Sequence, residues 1–196
     1  MPLDTPLILA STSTYRRQLL ERLRLPFSTV APEVDEVELP AEAPATRAAR
    51  LALAKARAVA ALHPGSIVIG SDQVASLRIG PDIVILHKPG ERTHTHAQLA
   101  EMSGQTVRFD TAVAVLRDDT ELVHVDLTAV RFRELSHIDI GHYIDREPAF
   151  DCAGGFKSEG LGATLFESVE TRDPSALVGL PLIWLCAALR RLGVTV

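Results

Sequence analysis

The chain has 196 residues, and its 20 Lys and Arg against 25 Asp and Glu give a formal net charge of −5. A hydrophobic fraction of 46% and a charged fraction of 23% are close to the averages of globular domains, which excludes a disordered, collagen-like or disulfide-framework protein. The acidic excess argues against a broad basic surface for DNA or RNA, so any anion site must be local. We expect a single domain over residues 1–196, with no nucleic-acid partner.

We expect no targeting signal in this sequence. The N-terminal segment lacks the basic residues of a signal peptide, and the longest apolar stretch, Leu180–Leu189, is short and contains Pro181. The two cysteines, Cys152 in a loop and Cys186 in an apolar helix, are expected to be free thiols. We therefore expect a soluble cytoplasmic protein without a membrane partner.

Strand and helix signals alternate along the chain. The predicted strands are Leu7–Ala10, Phe27–Val30, Ile67–Gly70, Val74–Leu77, Ile83–Leu86, Val107–Leu116, Leu122–Phe132 and Ala163–Val169. The predicted helices are Tyr15–Leu23, Thr46–Leu62, Thr93–Met102, Ser136–Arg146 and Pro181–Leu192. Because strands and helices are interleaved while the middle strands read as hairpins, we expect an α/β fold with a mixed, twisted sheet flanked by helices.

The segment between the first strand and the first helix carries hydroxyls and two arginines. Ser11–Thr14 precedes Arg16 and Arg17, which would lie in the first helical turn and oppose the helix dipole. Free N–H groups at such a point attract anions, so the arginines are consistent with a phosphate site. The alternative is that the hydroxyls are only helix caps and both arginines are solvated.

Lys55 interrupts an apolar stripe on the predicted helix Thr46–Leu62. A lysine at such a position must extend its amine to solvent, pair with a carboxylate, or reach a cleft. The sequence leaves these three outcomes open.

Asp72 follows the buried run Ile67–Gly70, where strands of α/β sheets open onto ligand crevices. A carboxylate there binds metal or acts as a general base, although an Asx-turn is the plainer explanation. Glu36 and Lys88 also come after or at the end of strand-like segments. Carboxylates that hold Mg²⁺ or Mn²⁺, together with cations that neutralise phosphate oxygens, suit metal-assisted phosphate chemistry.

Residues 153–162 form a glycine-dense loop that permits close approach of a ligand or serves as a flexible connector. The spacing fits neither a P-loop nor a dinucleotide fingerprint. His94 and His96, two apart at a helix start, do not share a face and are expected to be solvated.

Taken together, seven segments resemble the Maf-like nucleoside triphosphate pyrophosphatases. They run in order over nearly the whole chain: LILASTSTYRRQLLERL, APEVDE, RLALAKARAVA, IVIGSDQV, ILHKPG, VRFREL…IDREPAFDCAGGFKSEGLG and LVGLPLIWL. The resemblance implies hydrolysis of a nucleotide to its monophosphate and pyrophosphate with a divalent cation, Mg²⁺ or Mn²⁺. It also implies a Maf/ITPase-like fold with an active-site cleft between two lobes, and a homodimer.

Residue roles follow from the same resemblance. Asp72 corresponds to the proton acceptor that activates water, and we expect Asp72 and Glu36 to bind the metal ion. Ser11 and Arg16 resemble phosphate binders at the helix N-terminus, and Glu36, Lys55 and Lys88 match polar cleft residues of the family. We expect Ser11, Arg16, Lys55, Lys88 and Lys157 to contact the substrate.

Tyr15, Gln73 and Lys157 bear on the branch of the family. Branches that act on dTTP and UTP carry Arg, Thr and Gln at these positions, so the strings SDQ and GFKSEG resemble the branch that hydrolyses 7-methyl-GTP. The 7-methylguanine ring is cationic, and an aromatic face attracts a cation by about 0.5–2 kcal/mol. Tyr15 is expected to supply that face, and Gln73 to hydrogen-bond the base or the sugar.

The sequence departs from the family pattern at two positions, and three alternative functions stay open. His87 stands where the family usually has Gly, and Cys152 where many siblings have Lys. The alternatives are a dTTP/UTP pyrophosphatase of the sibling branch, a non-catalytic binding protein connected with division or the septum, and an RNA-cap reader, which the charge and the lack of interleaved aromatic residues disfavour.

Overall fold

The computed structural model describes residues 5–196 and confirms the mixed α/β fold. Seven strands form one sheet: β1 (Leu7–Ala10), β2 (Ser28–Val30), β3 (Ile67–Ile79), β4 (Asp82–Leu86), β5 (Thr106–Arg117), β6 (Thr120–Phe132) and β7 (Phe166–Glu170). The helices are α1 (Thr14–Glu21), α2 (Pro44–Ala60), α3 (Arg92–Met102), α4 (His137–Arg146) and α5 (Leu182–Arg191). The strand order is β2-β1-β3-β5-β6-β7, and β4 pairs with β3. β1 is parallel to β2 and β3, whereas the β3–β4 and β6–β7 pairs are antiparallel.

The chain divides into two compact units. The first comprises the residues up to Gln73 together with 111–126 and 173–196, and the second comprises 74–110 and 127–172. Strands β3, β5 and β6 each contribute residues to both units. Whether the chain folds as one independent domain stays a prediction, and its first four residues lie outside the described part.

The largest difference from the sequence prediction is β3. Ile67–Gly70 and Val74–Leu77 are not two strands but parts of one 13-residue strand, so Asp72 lies inside a strand and not at its end. The strand continues because each polar residue in its middle finds a partner: Ser71, Asp72 and Gln73 all make buried or half-buried hydrogen bonds. The Asx-turn explanation of Asp72 is therefore wrong.

The last predicted strand also shifts. Residues 163–165 belong to a 3₁₀ turn, Leu161–Leu165, and β7 begins only at Phe166. The Thr164 hydroxyl donates to the Leu161 carbonyl at 2.7 Å, which closes the turn. All five helices named above lie within two residues of their predicted bounds. The Ser136–Asp139 capping box at the start of α4 confirms the predicted cap.

The core of the first unit covers one face of β1, β3 and β5. Alternate strand residues such as Leu9, Ile69 and Val113 pack with Leu19 of α1 and Leu185 of α5. Residues on the opposite face include Gly70, whose missing side chain admits α2. A Cβ on Gly70 would lie 2.3 Å from the Ala52 carbonyl oxygen and 2.9 Å from the Ala56 Cβ.

The second unit has an aromatic core. Phe156 meets Phe109, Phe132 and Phe166 in edge-to-face pairs with ring centroids 5.0–5.5 Å apart. Gly154, with φ of 81°, fits closely against Phe109 and Phe156. None of the helices within residues 5–196 has the length and apolar composition needed to cross a bilayer.

Candidate active site

Lys55, Asp72 and Glu36 form a cluster of charges in the first unit. The Lys55 Nζ lies 2.6 Å from Asp72 Oδ1 and 2.6 Å from Glu36 Oε1. The Lys55 and Asp72 side chains are 9% and 10% exposed, whereas that of Glu36 is 55% exposed. Of the three outcomes that the sequence left open for Lys55, pairing with a carboxylate is the observed one.

The position of this pair follows from the close packing at Gly70. Asp72 lies two residues beyond Gly70 and therefore on the same face of β3, while Lys55 lies between Ala52 and Ala56 on α2. Because α2 rests directly on Gly70, the lysine amine reaches the Asp72 carboxylate without leaving the buried layer.

Arg16 belongs to the same charged region. Its Nε donates to the Gly179 carbonyl oxygen at 3.0 Å. Burial lowers the pKa of the Arg16 guanidinium, and the negative charges of Asp72 and Glu36 act in the opposite direction. Arg17 differs, because it is exposed and pairs with Glu21 one turn later. Only the first of the two arginines is therefore placed to act with the carboxylates.

The hydroxyl-rich segment before α1 is partly used in capping. The Ser13 hydroxyl accepts from the Arg16 backbone N–H at 3.4 Å, and the buried Ser11 hydroxyl accepts from the Ser13 N–H at 3.1 Å. No acidic residue occupies the first turn of α1, and Tyr15 lies half-buried there. No carboxylate of the first turn therefore offsets the positive end of the α1 helix dipole.

Gln73 is held from within the protein. Its Nε2 lies 2.9 Å from the Thr111 hydroxyl, 3.1 Å from the Ala176 carbonyl and 3.0 Å from the Leu177 carbonyl. Thr111, fully buried, donates in turn to Ala176 at 3.0 Å. The amide nitrogen is therefore committed to the protein, and only the carbonyl oxygen of the side chain is left to act on a ligand.

The segment 173–182 supplies these carbonyls and is itself tightly organised. The buried Asp173 carboxylate accepts from the backbone and the hydroxyl of Ser175 and from the Ile183 N–H. The Ser71 hydroxyl lies 2.7 Å from the Ala112 carbonyl and 2.8 Å from the Gly179 carbonyl. One short segment thus contacts side chains of α1, β3 and β5.

Lys88 and Lys157 lie in the second unit, Lys88 exposed just after β4 and Lys157 half-buried in the glycine-rich loop. This loop is not a loose connector. The Lys157 N–H donates to the Tyr143 hydroxyl at 3.0 Å, and the Leu161 N–H donates to Glu147 Oε2 at 2.6 Å. Burial raises the pKa of Tyr143. Tyr143 on α4 and Glu147, which directly follows α4, therefore fix the backbone that carries Lys157.

The remaining candidates from the sequence lie on the surface or pack against neighbouring side chains. Within the described residues, His94 is exposed, and His96 stacks on His137 at 5.2 Å. Neither Cys152 nor Cys186 forms a disulfide bond in the described part of the chain, as expected. Over residues 5–196 no group of three or more His, Cys, Asp or Glu side chains converges to hold a metal ion.

Sequence reasoning missed Ser71, Thr111 and the segment 173–182. Thr111 carried little signal, since it lies between Asp110 and the apolar run 112–116 of β5. The backbone carbonyls of residues 176, 177 and 179 carry no signal in the sequence.

Comparison with known proteins identifies the family. The family model described as Maf-like protein matches residues 6–192, so this chain belongs to the Maf-like family. A 7-methyl-GTP pyrophosphatase of Xanthomonas oryzae pv. oryzae (strain MAFF 311018) is 56% identical over 187 residues, which cover 95% of this chain and 96% of the relative. The protein of the same name from Polaromonas sp. is 53% identical over 98% of this chain and 87% of the relative.

A solved structure agrees on the fold. The Staphylococcus aureus Ham1 protein superposes with a TM-score of 0.55 at 15% identity, over 96% of this chain and all of that one. At this identity the likeness concerns the fold alone, and it confirms the expected mixed α/β architecture.

Proposed function

We propose that this protein hydrolyses 7-methyl-GTP to 7-methyl-GMP and pyrophosphate. The observation that carries the proposal is the buried Lys55–Asp72 ion pair, with Glu36 on the same ammonium and Arg16 beside it. Preorganised lysine and arginine side chains stabilise the negative charge that develops on a transferring phosphoryl group. The substrate is inferred from relatives that carry the name 7-methyl-GTP pyrophosphatase at 53–56% identity.

In the proposed reaction the Asp72 carboxylate accepts a proton from water as the water oxygen attacks the α-phosphorus. The bond from the α-phosphorus to the bridging oxygen breaks, and the electron pair leaves with pyrophosphate. Lys55 and Arg16 offset the negative charge that grows on the phosphate oxygens. Ser11 binds phosphate at the N-terminus of α1, and Lys88 and Lys157 serve as further substrate contacts.

We propose Mg²⁺ or Mn²⁺ as the cofactor. Glu36 and Asp72 each have an oxygen 2.6 Å from the Lys55 ammonium, which brings the two carboxylates together, and Mg²⁺ is commonly held by one or two carboxylates together with substrate phosphates. The donor set therefore fits the ion. A bound divalent cation supplies Lewis-acid stabilisation of the triphosphate.

We also propose that the protein acts as a cytoplasmic homodimer.

Tyr15 is proposed as the face on which the cationic 7-methylguanine ring stacks. Tyr15→Ala is expected to lower the preference for 7-methyl-GTP over GTP, while Tyr15→Phe keeps it. An unchanged ratio of kcat/KM values in Tyr15→Ala would reject stacking as the source of the preference.

The test of the reaction is a panel of canonical and modified nucleotides with Mg²⁺ or Mn²⁺, scored by pyrophosphate release. Hydrolysis in ¹⁸O-labelled water is expected to place the label in 7-methyl-GMP and not in pyrophosphate. Asp72→Asn is expected to abolish turnover and keep the fold, with exposed Asp119→Asn as the matched control. A panel in which dTTP or UTP is preferred would favour the sibling branch, and no pyrophosphate from any nucleotide would favour a binding protein.

A further inference from the structure

The orientation of the Gln73 amide is determined by its surroundings. All three groups around Nε2 are oxygens, and two of them, the carbonyls of Ala176 and Leu177, can only accept hydrogen bonds. A flipped amide would bring the side-chain oxygen against these carbonyls. A ligand that contacts the Gln73 amide would therefore meet Oε1, which is a pure acceptor.

Thr111 stabilises that orientation from a second side. Its single hydroxyl proton goes to the Ala176 carbonyl at 3.0 Å, so the hydroxyl oxygen is left to accept from Gln73 Nε2 at 2.9 Å. The residue is fully buried, which prevents water from replacing either bond. The Ala176 carbonyl thus fixes the orientation of the Thr111 hydroxyl, and the hydroxyl in turn fixes the orientation of the Gln73 amide.

We propose that Thr111 is a positioning residue that makes Gln73 an acceptor-only reader of the nucleotide base. An acceptor selects N–H donors, and Gln73 Oε1 is assigned to the exocyclic amine of guanine, a donor that a hypoxanthine base lacks. The positive charge of a 7-methylguanine ring strengthens these donors, because a charge-assisted hydrogen bond is stronger than a neutral one. This inference rests on the proposed function, since it assigns the atom that reads the base of that substrate.

Steady-state kinetics of single variants test the role of Thr111. Thr111→Val removes the hydroxyl at nearly constant volume, and it is expected to lower kcat/KM for 7-methyl-GTP relative to 7-methyl-ITP about 5- to 10-fold. Thr111→Ser keeps the hydroxyl and is expected to retain the wild-type ratio. Thr128→Val is the matched control, because Thr128 is equally buried but bonds Thr171.

A double-variant cycle separates positioning from a structural effect. Gln73→Leu is expected to reduce the same ratio, and adding Thr111→Val to it is expected to cause no further reduction. Independent, multiplying losses would overturn the proposal. Ribose analogues complete the test: 2′-deoxy and 3′-deoxy forms of 7-methyl-GTP are expected to respond equally in wild type and Thr111→Val, and a selective response to either would overturn the assignment to the base.

A measurement without substrate keeps this inference distinct from the proposed function. The side-chain amide protons of Gln73 are expected to exchange slowly with solvent in ¹⁵N-resolved NMR spectra, and markedly faster in Thr111→Val. Fast exchange in the wild type would overturn the fixed orientation. Slow exchange in a protein that does not hydrolyse 7-methyl-GTP would instead reject the proposed function.

Discussion

Removal of the Lys55 ammonium offers the sharpest test of the buried charge cluster. Lys55→Met keeps most of the length and apolar volume of the side chain but leaves the buried Asp72 carboxylate without the cation at 2.6 Å. Breaking a buried ion pair on one side costs about 3–5 kcal/mol, because an uncompensated charge stays in the interior. We expect a loss of that size in the free energy of unfolding, together with a loss of turnover.

Two further variants separate the contributions of the two carboxylates. Glu36→Gln removes a carboxylate that is about half exposed and leaves the buried pair intact, so a loss below about 1 kcal/mol is expected. The double variant Lys55→Met/Asp72→Leu replaces the pair with apolar groups, which is often neutral or stabilising. It is expected to recover most of the stability that the single variant loses, yet to remain inactive.

Urea unfolding followed by circular dichroism measures these differences, and equal m-values would show that the unfolded states are comparable. Arg17→Met serves as a control for an exposed pair on a helix, with an expected loss of about 0.5 kcal/mol at most. A Lys55→Met protein as stable as Arg17→Met, or a double variant no more stable than Lys55→Met, would refute the reasoning.

Three further predictions concern stability. Gly70→Ala is expected to destabilise the protein by about 1–3 kcal/mol and to reduce turnover, because the added Cβ meets the backbone of α2. Gly141→Ala lies in open space inside α4 and is expected to stabilise the protein by about 0.5–1 kcal/mol. The urea midpoints of the two variants measure the difference. Burial raises the pKa of Asp110, so the charged carboxylate destabilises the folded state at neutral pH. Asp110→Asn is therefore expected to raise the urea midpoint at pH 7. This gain in stability is expected to vanish below about pH 4, where Asp110 is protonated in the folded and the unfolded state. Hydrogen bonds from Arg133 and Ser136 lower the pKa of Asp139, so Asp139→Asn is expected to be less stable at pH 7, and thermal scans toward lower pH should show the difference closing.

The fold was predictable from hydrophobic patterns wherever local rules were sufficient. Helix α4 illustrates this, because Ser136 and Asp139 make a capping box that the sequence shows directly. Strand β3 was not predictable in full, since Ser71 and Asp72 resemble a strand end as long as their partners are unknown. Those partners, Gly179 and Lys55, come from distant parts of the chain.

The candidate site was predictable to the extent that it violates local rules. Lys55 interrupts an apolar stripe and Asp72 follows a buried strand, and the two prove to be partners. The supports of Gln73 were not predictable, because backbone carbonyls are present at every residue and only the tertiary fold selects those of Ala176 and Leu177. Sequence reasoning thus finds the charged groups and misses the neutral groups that orient them.

The packing at Gly70 explains why stability and function are coupled in the first unit. The contact that lets α2 approach β3 is also the contact that brings the Lys55 amine to Asp72. The ion pair then restrains the helix against the strand and places opposite charges beside Arg16. A substitution that separates α2 from β3 by a few tenths of an ångström is therefore expected to weaken the charge cluster before it unfolds the sheet, so turnover should fall more steeply than stability across a series of substitutions at Ala52 and Ala56.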